Sequence, residues 1–215
     1  MVLKEIRLVK GVISLESGLH IGGSSDALEI GGVDNEVVKH PITGEPYIPG
    51  SSLKGRMRSL LERKLGKIDS KGNPCNCGRR DCDICLLFGA HKRADSKAAP
   101  PRLLFRDAKL TEQTRDKFKK FIASKGKSYL EIKAENTIDR KSGAAIHPRF
   151  IERVPAGAKF DFEIAIQVFD QDNIDELLQT VKDGLNLVEN TYLGGSGSRG
   201  YGKVKFDFSV ESISI

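Results

Sequence analysis

The 215-residue chain lacks any apolar run that approaches the roughly 18 residues a membrane-spanning helix needs. Its first residues, MVLKEIRLVKGVISL, alternate charged and apolar side chains, which is typical of a strand and not of a signal peptide. No segment repeats at a fixed period, which excludes an array of sequence repeats. We therefore expect a cytoplasmic protein without a membrane partner. With 39% hydrophobic and 30% charged residues, the chain can form a buried core, which excludes disorder of the whole chain.

Cysteine is absent outside one eleven-residue segment, CNCGRRDCDIC, which contains Cys75, Cys77, Cys82 and Cys85. Four thiolates complete a tetrahedral zinc shell, and a loop without its own core gains stability from such an ion. The spacing therefore predicts a structural zinc site, because a closed four-sulfur shell leaves no position for a substrate. Two disulfides or four free thiols are the alternatives, and His91 can replace one cysteine because C-x-C is a less usual spacing than C-x-x-C.

Positive charge is distributed unevenly along the chain. Residues 51–106 contain 14 Lys/Arg and 5 Asp/Glu, whereas the remaining residues have a small acidic excess and the whole chain a net charge of +6. A basic segment of this kind favours a polyanionic partner over an ordinary solvated helix face. It begins with IPGSSLKGRMR, which supplies a helix N-terminus and fork-shaped guanidinium groups for an anion.

The apolar periodicity predicts an α+β fold in a single domain, residues 1–215. The predicted elements are a strand over 3–16, a helix beginning at Ser51 or Ser52 as the cap, strands over 101–110 and 159–169, a helix over 173–190 and a strand over 203–215. This order is the βαββαβ, ferredoxin-like arrangement. A change of parity near Lys10-Gly11 also predicts a bulge in the first strand.

Three long irregular stretches then become insertions on the core. They are the loop over 18–50, the cysteine insert over 67–100 and the stretch over 111–157, in which residues 132–154 form two arms around Lys141-Ser142-Gly143.

Two single residues in the first loop are candidates for chemistry. Asp34, in GGVDNEVVKHP, has a carboxylate that can hold Mg²⁺, reach a phosphodiester or accept a proton from a 2′-hydroxyl. A turn aspartate bonded to its own backbone is the alternative, and Asp26, Glu29 and Glu36 are equally available. His20, in GLHIGG, can stack on a base, contact a phosphate or act as a general base, or can simply end a strand.

The glycine loop, GGSGSRGYG over residues 194–202, has five glycines in nine residues. Its backbone N–H groups can approach phosphates closely, while Arg199 and Tyr201 offer a charge and a stacking face. A flexible linker is the alternative. Together with the basic segment, this loop makes RNA the expected partner.

Seven motifs taken together resemble one known family. They are GLHIGG (18–23), VDNEVV (33–38), IPGSSLKGRMR (48–58), LFG (87–89), ENTIDR (135–140), PRFIERV (148–154) and YLGGSGSRGYGKV (192–204). The chain resembles, almost from end to end, the repeated backbone subunit of the type III-A CRISPR effector, the Csm complex, a member of the RAMP superfamily.

This resemblance implies a modified ferredoxin-like (RRM-like) core with a zinc-binding insert and a β-hairpin thumb within 132–154. It implies a helical filament of copies of the chain on a guide crRNA, assembled with other type III-A subunits, including the large polymerase-cyclase subunit. The thumb would flip nucleotides out of the guide–target duplex. Asp34 would then cut the complementary target RNA at regular intervals with a divalent cation, for which Mg²⁺ is expected.

The resemblance also implies which residues bind RNA. They are His20, Ser51, Ser52, Lys54, Arg56, Arg58, Arg140, Arg149, Arg153, Gly195, Gly197, Arg199 and Tyr201. Two rival functions remain: a non-catalytic RNA-binding scaffold with Asp34 as a turn residue, and a metal-independent nuclease that processes precursor crRNA with His20 as general base.

Overall fold

The computed structural model describes residues 1–23, 35–90 and 100–214. The predicted catalytic Asp34, its alternatives Asp26 and Glu29, and the alternative zinc ligand His91 lie outside the described residues. Within the described ranges, no helix combines the length and apolarity needed to cross a membrane.

The described chain forms a mixed fold of helices and two antiparallel sheets. In chain order its elements are β1 (Leu3–Leu15), β2 (Tyr47–Ile48), α1 (Gly50–Lys64), α2 (Asp83–Phe88), β3 (Leu103–Phe105), β4 (Ala108–Leu110), α3 (Glu112–Lys125), β5 (Glu131–Ile138), β6 (Ala145–Arg153), β7 (Lys159–Phe169), α4 (Ile174–Glu189) and β8 (Val204–Ser214). The larger sheet has the order β2-β4-β7-β1-β8, with β3 also paired to β7, and β5 pairs with β6 in the smaller sheet.

Strand β1 is an interior strand of the larger sheet, antiparallel to both β7 and β8. The predicted bulge at Lys10-Gly11 is wrong, because both ladders continue through these residues and the one register shift of β1 against β7 falls between Leu3 and Glu5. The apolar residues of β1 change between odd and even positions because both faces of the strand are covered: Leu8 is buried on one face and Val9 on the other.

Gly11 has a packing role in β1. A Cβ there would lie 2.0 Å from the carbonyl oxygen of Asp207, so only glycine permits this approach of β8.

Helices α1 and α4 pack against each other and share one apolar core with the sheet. Gly184 allows their close contact, because a Cβ there would lie 2.8 Å from Cε of Met57. The prediction that Ser51 or Ser52 caps α1 is wrong: the N-cap is Pro49, which has no side-chain donor or acceptor. Instead, Asp107 Oδ1 accepts the N–H of Gly50 at 2.7 Å.

The segment 101–110 is not the single strand that its apolar residues predict. It forms β3 and β4, which are separated at Arg106-Asp107, where Asp107 turns to the start of α1. The two arms predicted between 132 and 154 are present as β5 and β6.

The periodicity of the sequence did not reveal α2 inside the cysteine insert. Its Ile84, Leu87 and Phe88 are buried in the common core, so the insert is joined to the domain by an apolar face.

Candidate RNA-binding surface and cysteine cluster

Three segments that are distant in sequence meet at the base of the β5–β6 hairpin. Leu19 and Val154 exchange both backbone hydrogen bonds at 2.9 Å, which joins the end of the first strand region to the end of β6. The N–H of Gly195 donates to the carbonyl oxygen of His20 at 2.9 Å, which adds the glycine loop. The fold therefore brings the predicted His20 and the glycine loop together beside the hairpin.

His20 is held at this junction through its ring as well as its backbone. Its Nδ1 lies 2.8 Å from the carbonyl oxygen of Glu152, and a carbonyl oxygen only accepts, so Nδ1 carries the hydrogen. In the neutral ring Nε2 is then an acceptor. Gly194 has φ +75°, and a Cβ there would lie 2.4 Å from the His20 carbonyl oxygen, so this position of the loop requires glycine.

Tyr201 is not the exposed stacking face that the glycine loop predicts. Only 1% of the residue is exposed, and its hydroxyl donates to Glu135 Oε1 at 2.7 Å. The Lys133 ammonium and the Arg153 guanidinium lie 4.5 and 4.7 Å from the ring centroid. Burial and the adjacent Glu135 raise the pKa of Tyr201 to about 12. Its ring is thus occupied by cations of the hairpin, and Tyr201 joins the glycine loop to β5.

Glu135 is the centre of an ionic network at the hairpin base. Burial raises its pKa, but the Tyr201 hydroxyl and the charges of Arg199 and Lys133 outweigh burial and lower the pKa below its usual value. Arg199 Nε lies 3.1 Å from Glu135 Oε2, and 47% of the Arg199 side chain remains exposed. Arg199 therefore keeps surface for a phosphate, whereas Tyr201 does not.

Arg153, predicted to serve the hairpin and RNA, is mostly buried at the same place. Its Nε lies 2.7 Å from Glu131 Oε1, and this pair lies against Gly18, where a Cβ would come within 2.6 Å of both atoms.

Helix α1 is attached to the glycine loop through Arg56. Its Nε donates to the carbonyl oxygen of Tyr192 at 2.8 Å, and its guanidinium lies 3.7 Å from the centroid of the Tyr192 ring. Gly197 lies against the same ring, since a Cβ there would lie 2.0 Å from it. Lys54, two residues earlier in α1, has no ion-pair partner among the described residues. Burial, and next the charge of Arg58, lower its pKa.

Arg58, which the resemblance assigns to RNA binding, faces the cysteine insert. Its guanidinium donates to Glu62 Oε1 at 2.8 Å, to the Gly89 carbonyl oxygen at 2.9 Å and to the Cys75 carbonyl oxygen at 2.7 Å. Only 13% of the side chain is exposed. Glu62 in turn accepts the N–H of Cys75 at 2.9 Å, so this ion pair of α1 holds the backbone of Cys75 on both sides.

The other predicted RNA-binding residues lie outside these networks. Ser51 is exposed and Ser52 partly buried in the first turn of α1, while Arg140 and Arg149 are exposed on the hairpin. Arg149 is opposite Glu135 in the β5–β6 ladder. Of the hairpin cations, Arg140 and Arg149 are thus exposed to a ligand.

The four cysteines lie together as free thiols, which excludes the alternative of two disulfides. Four of their Sγ–Sγ separations are 3.7 Å, and all their sulfur atoms lie within 4.8 Å of one another. A tetrahedron with zinc–sulfur bonds of about 2.3 Å has edges of about 3.8 Å. The four sulfur atoms therefore fit a metal ion such as zinc.

The environment of the thiols is unequal. The hydrogen bond from the Arg79 N–H and those from neighbouring thiols outweigh burial and lower the pKa of Cys77 to about 7. Burial raises the pKa of Cys85 to about 12. Without a metal ion, we expect the cluster to ionise first at Cys77.

Sequence reasoning missed Glu152, which connects the first loop to the hairpin. Its carboxylate is buried and accepts the N–H of Val37 at 3.0 Å, and Lys39 Nζ lies 2.9 Å from Oε2. Its backbone N–H donates to the carbonyl oxygen of Asn35 at 3.0 Å. The only sequence signal is an acidic residue between apolar and basic neighbours in PRFIERV, which does not distinguish it from a surface residue.

A family model described as the RAMP superfamily matches residues 12–205, and the chain belongs to that superfamily. A relative from Methanothermobacter thermautotrophicus, named CRISPR system Cms endoribonuclease Csm3, is 45% identical over 210 residues, which are 93% of this chain and 82% of the relative. A protein of the same name from Enterococcus italicus is 39% identical over 225 residues, 98% of each chain. The resemblance indicated by the seven motifs is confirmed.

Solved structures give the same assignment. The chain is similar to one in a Csm3-Csm4 subcomplex of the type III-A CRISPR-Cas interference complex, with 29% identity, a TM-score of 0.58 and coverage of 100% of this chain and 82% of the other. It is also similar to Methanopyrus kandleri Csm3, with 26% identity, a TM-score of 0.66 and coverage of 99% and 78%. A chain of the type III-B Cmr-β complex bound to cognate target RNA shares the fold at 19% identity and a TM-score of 0.65.

Proposed function

We propose that this chain is the repeated guide-binding backbone subunit of a type III-A CRISPR effector and that it cuts complementary target RNA as an endoribonuclease. The observation that carries the proposal is 39% identity over 98% of both chains with a named endoribonuclease of this system. Its partners are then crRNA, target RNA, other copies of itself and other type III-A subunits, including the large polymerase-cyclase subunit. A head-to-tail contact between copies gives an open helical filament.

The strand order supports a modified ferredoxin-like (RRM-like) core as the frame of this subunit. Counting β1, the β3/β4 pair, β7 and β8 as the four core strands gives the spatial order 4-1-3-2, with α1 and α4 in the two crossovers. The first loop, the cysteine insert and the stretch with the hairpin are insertions in this single domain. The hairpin is the thumb.

RNA binding is supported by cations around the glycine loop and along the hairpin. Arg199 and Lys54 keep exposed surface near the loop and α1, and Arg140 and Arg149 extend the charge along the hairpin. Backbone N–H groups of a glycine-rich loop add donors for phosphate oxygens. Such contacts position a nucleic acid and give an affinity that falls with salt.

For cleavage we assign Asp34 as the catalytic residue. The support from the structure is that Asn35, the residue after Asp34, pairs with Ile151 at the hairpin base. A nucleotide flipped by the thumb distorts its backbone, so that its 2′-hydroxyl can align with the adjacent phosphate. The Asp34 carboxylate would accept the hydroxyl proton or hold a divalent cation, for which Mg²⁺ is proposed. Such a cation supplies positive charge to the phosphate oxygens.

Zinc is the proposed structural ion of the cysteine insert, held by Cys75, Cys77, Cys82 and Cys85. The separations of their sulfur atoms support this metal, and the Arg58–Glu62 pair orients Cys75 for it.

The test uses the guide-loaded complex and an end-labelled complementary RNA. We expect evenly spaced cuts that require added Mg²⁺ and are lost in Asp34→Ala, with target binding retained. Mg²⁺ should be withheld and restored as well as chelated, because a chelator also removes zinc. Binding without any cutting would identify a scaffold. Cleavage of a precursor crRNA within its repeat, without Mg²⁺ and lost in His20→Ala, would indicate the metal-independent processing nuclease.

A further inference from the structure

The two ring nitrogens of His20 have different hydrogen-bonding roles. Nδ1 donates to the carbonyl oxygen of Glu152 at 2.8 Å, which fixes the neutral tautomer with its lone pair on Nε2. Turning the ring over would place a carbon atom at the Glu152 carbonyl oxygen and lose this bond. Within the described ranges no group donates a hydrogen bond to Nε2.

The position of the ring is also fixed. The backbone of His20 accepts from Gly195, and the preceding Leu19 pairs with Val154 through two hydrogen bonds. The ring therefore has few alternative positions, and Nε2 is oriented before any ligand binds.

The edge of the ring that carries Nε2 is bordered by glycines. A Cβ at Gly22 would lie 3.7 Å from Nε2, and one at Gly195 would lie 3.9 Å from Cδ2. Neither glycine has a side chain to cover this edge, so the described residues leave it open to a ligand at both places. His20 itself is only partly buried.

When the ring is neutral, Nε2 has only a lone pair, so it takes a hydrogen-bond donor as its partner and not a phosphate oxygen. The glycine loop already provides cationic and N–H donors for phosphates, including Arg199 with nearly half of its side chain exposed. In the sugar-phosphate backbone of RNA the donor is the ribose 2′-hydroxyl, which DNA lacks.

We propose that His20 Nε2 accepts a hydrogen bond from a ribose 2′-hydroxyl of the bound guide, so that His20 selects RNA over DNA instead of binding a phosphate. This inference rests on the proposed function, since it requires that the chain binds guide RNA. His20 is then a specificity-determining residue, and Glu152 positions it through the backbone carbonyl.

The experiment compares the affinity of the full chain for two single-stranded oligonucleotides of one sequence, RNA and 2′-fluoro RNA, by fluorescence anisotropy. Fluorine keeps an RNA-like sugar but has no hydrogen to donate. The test variant is His20→Asn, whose amide N–H₂ can replace Nδ1 as donor to Glu152 but which has no atom at the position of Nε2. The control variant is His40→Asn, at an exposed histidine whose Nδ1 accepts from the turn that follows it.

We expect wild type and His40→Asn to bind RNA about 3- to 10-fold more tightly than 2′-fluoro RNA, the effect of one neutral hydrogen bond. His20→Asn should bind the two oligonucleotides with equal affinity while its melting temperature stays close to that of wild type.

Three outcomes would overturn the proposal. Wild type that does not distinguish the oligonucleotides has no 2′-hydroxyl contact. If His20→Asn lowers the affinity for both oligonucleotides by the same factor, or still prefers RNA, then His20 contacts another atom of RNA or has a structural role alone. Wild type that binds neither oligonucleotide contradicts the proposed function itself, which separates this failure from the other two.

Discussion

The cysteine insert and the hairpin are both attached to the core by arginine–glutamate pairs, yet the two regions differ in what they leave exposed. In the insert, Arg58 and Glu62 are mostly buried, and each of the three guanidinium nitrogens of Arg58 donates to a partner inside the protein. At the hairpin base, Arg199 pairs with Glu135 but keeps nearly half of its surface. The same pair of residue types is therefore enclosed in one region and leaves guanidinium surface exposed in the other.

The apolar side chains of the two regions differ in the same way. The insert buries Ile84, Leu87 and Phe88 in the core, whereas Ile132 and Ile138 of the hairpin are 58% and 44% exposed. An exposed apolar strand pair is expected where a ligand or partner covers it. The insert therefore packs against the chain's own core, and we expect the hairpin to be covered by what it binds.

The strongest test of this comparison is loss of the cluster. In Cys82→Ser we expect loss of zinc and a fall in the free energy of unfolding of more than about 3 kcal/mol, because structural zinc contributes directly to folding. Metal content and thermal unfolding measure this result. A chelator should destabilise wild type and leave Cys82→Ser unchanged; one zinc per chain in the variant would contradict the assignment.

Removing one partner of the buried ion pair comes next. Arg58→Met leaves Glu62 unpaired in the core, so we expect a loss of about 3–5 kcal/mol in the free energy of unfolding. The double variant Arg58→Met/Glu62→Leu should recover part of it. Denaturant unfolding measures stability, and RNA affinity of the folded variant should be unchanged. A stable Arg58→Met that no longer binds RNA would return Arg58 to the binding surface.

At the hairpin base the effect of one hydroxyl should be smaller. Tyr201→Phe removes the hydrogen bond to the Glu135 carboxylate, for which we expect a loss of about 1.5–3 kcal/mol. Hydrogen exchange of β5 should accelerate more than that of α1. Tyr47→Phe is the matched control, because the Tyr47 hydroxyl has no hydrogen-bond partner among the described residues. Equal effects in the two variants would mean that Tyr201 does not hold the hairpin.

The pH dependence of the same network follows from Glu135. Its pKa is lowered in the folded state, so its contribution is present above the unfolded pKa of about 4.3 and is lost as pH falls through the folded pKa. The difference in melting temperature between wild type and Glu135→Gln should therefore shrink on acidification from pH 7 to pH 3. A difference that grows on acidification would contradict the direction of the shift.

The smallest expected effect is on RNA binding, and it should distinguish the hairpin base from the cysteine insert without a change in stability. Arg199→Gln should reduce the slope of log affinity against log salt by about 1, as expected for one phosphate contact, with little change in stability. Arg79→Gln is the matched variant in the insert, where Arg79 is exposed and paired with Asp81. A slope reduced equally in both variants would extend the binding surface to the insert.

Much of the core could be predicted from the sequence because periodicity is a local property. The alternation in 159–169 and the apolar stripe in 173–190 correspond to β7 and α4 within one residue at each end. The thiol cluster could be predicted for the same reason, because four cysteines within eleven residues stay close together in space. In contrast, α2 is too short for its period to be distinguished from an irregular loop.

What the sequence by itself determined is the family, the order of the main strands and helices, and the inventory of cations, glycines and thiols. Only the tertiary structure decided the roles of individual residues within that inventory. Arg58 donates to Gly89, 31 residues away, and Tyr201 to Glu135, 66 residues away. Burial and hydrogen-bond partners at such separations depend on how the elements pack, so a pattern of neighbouring residues does not contain them.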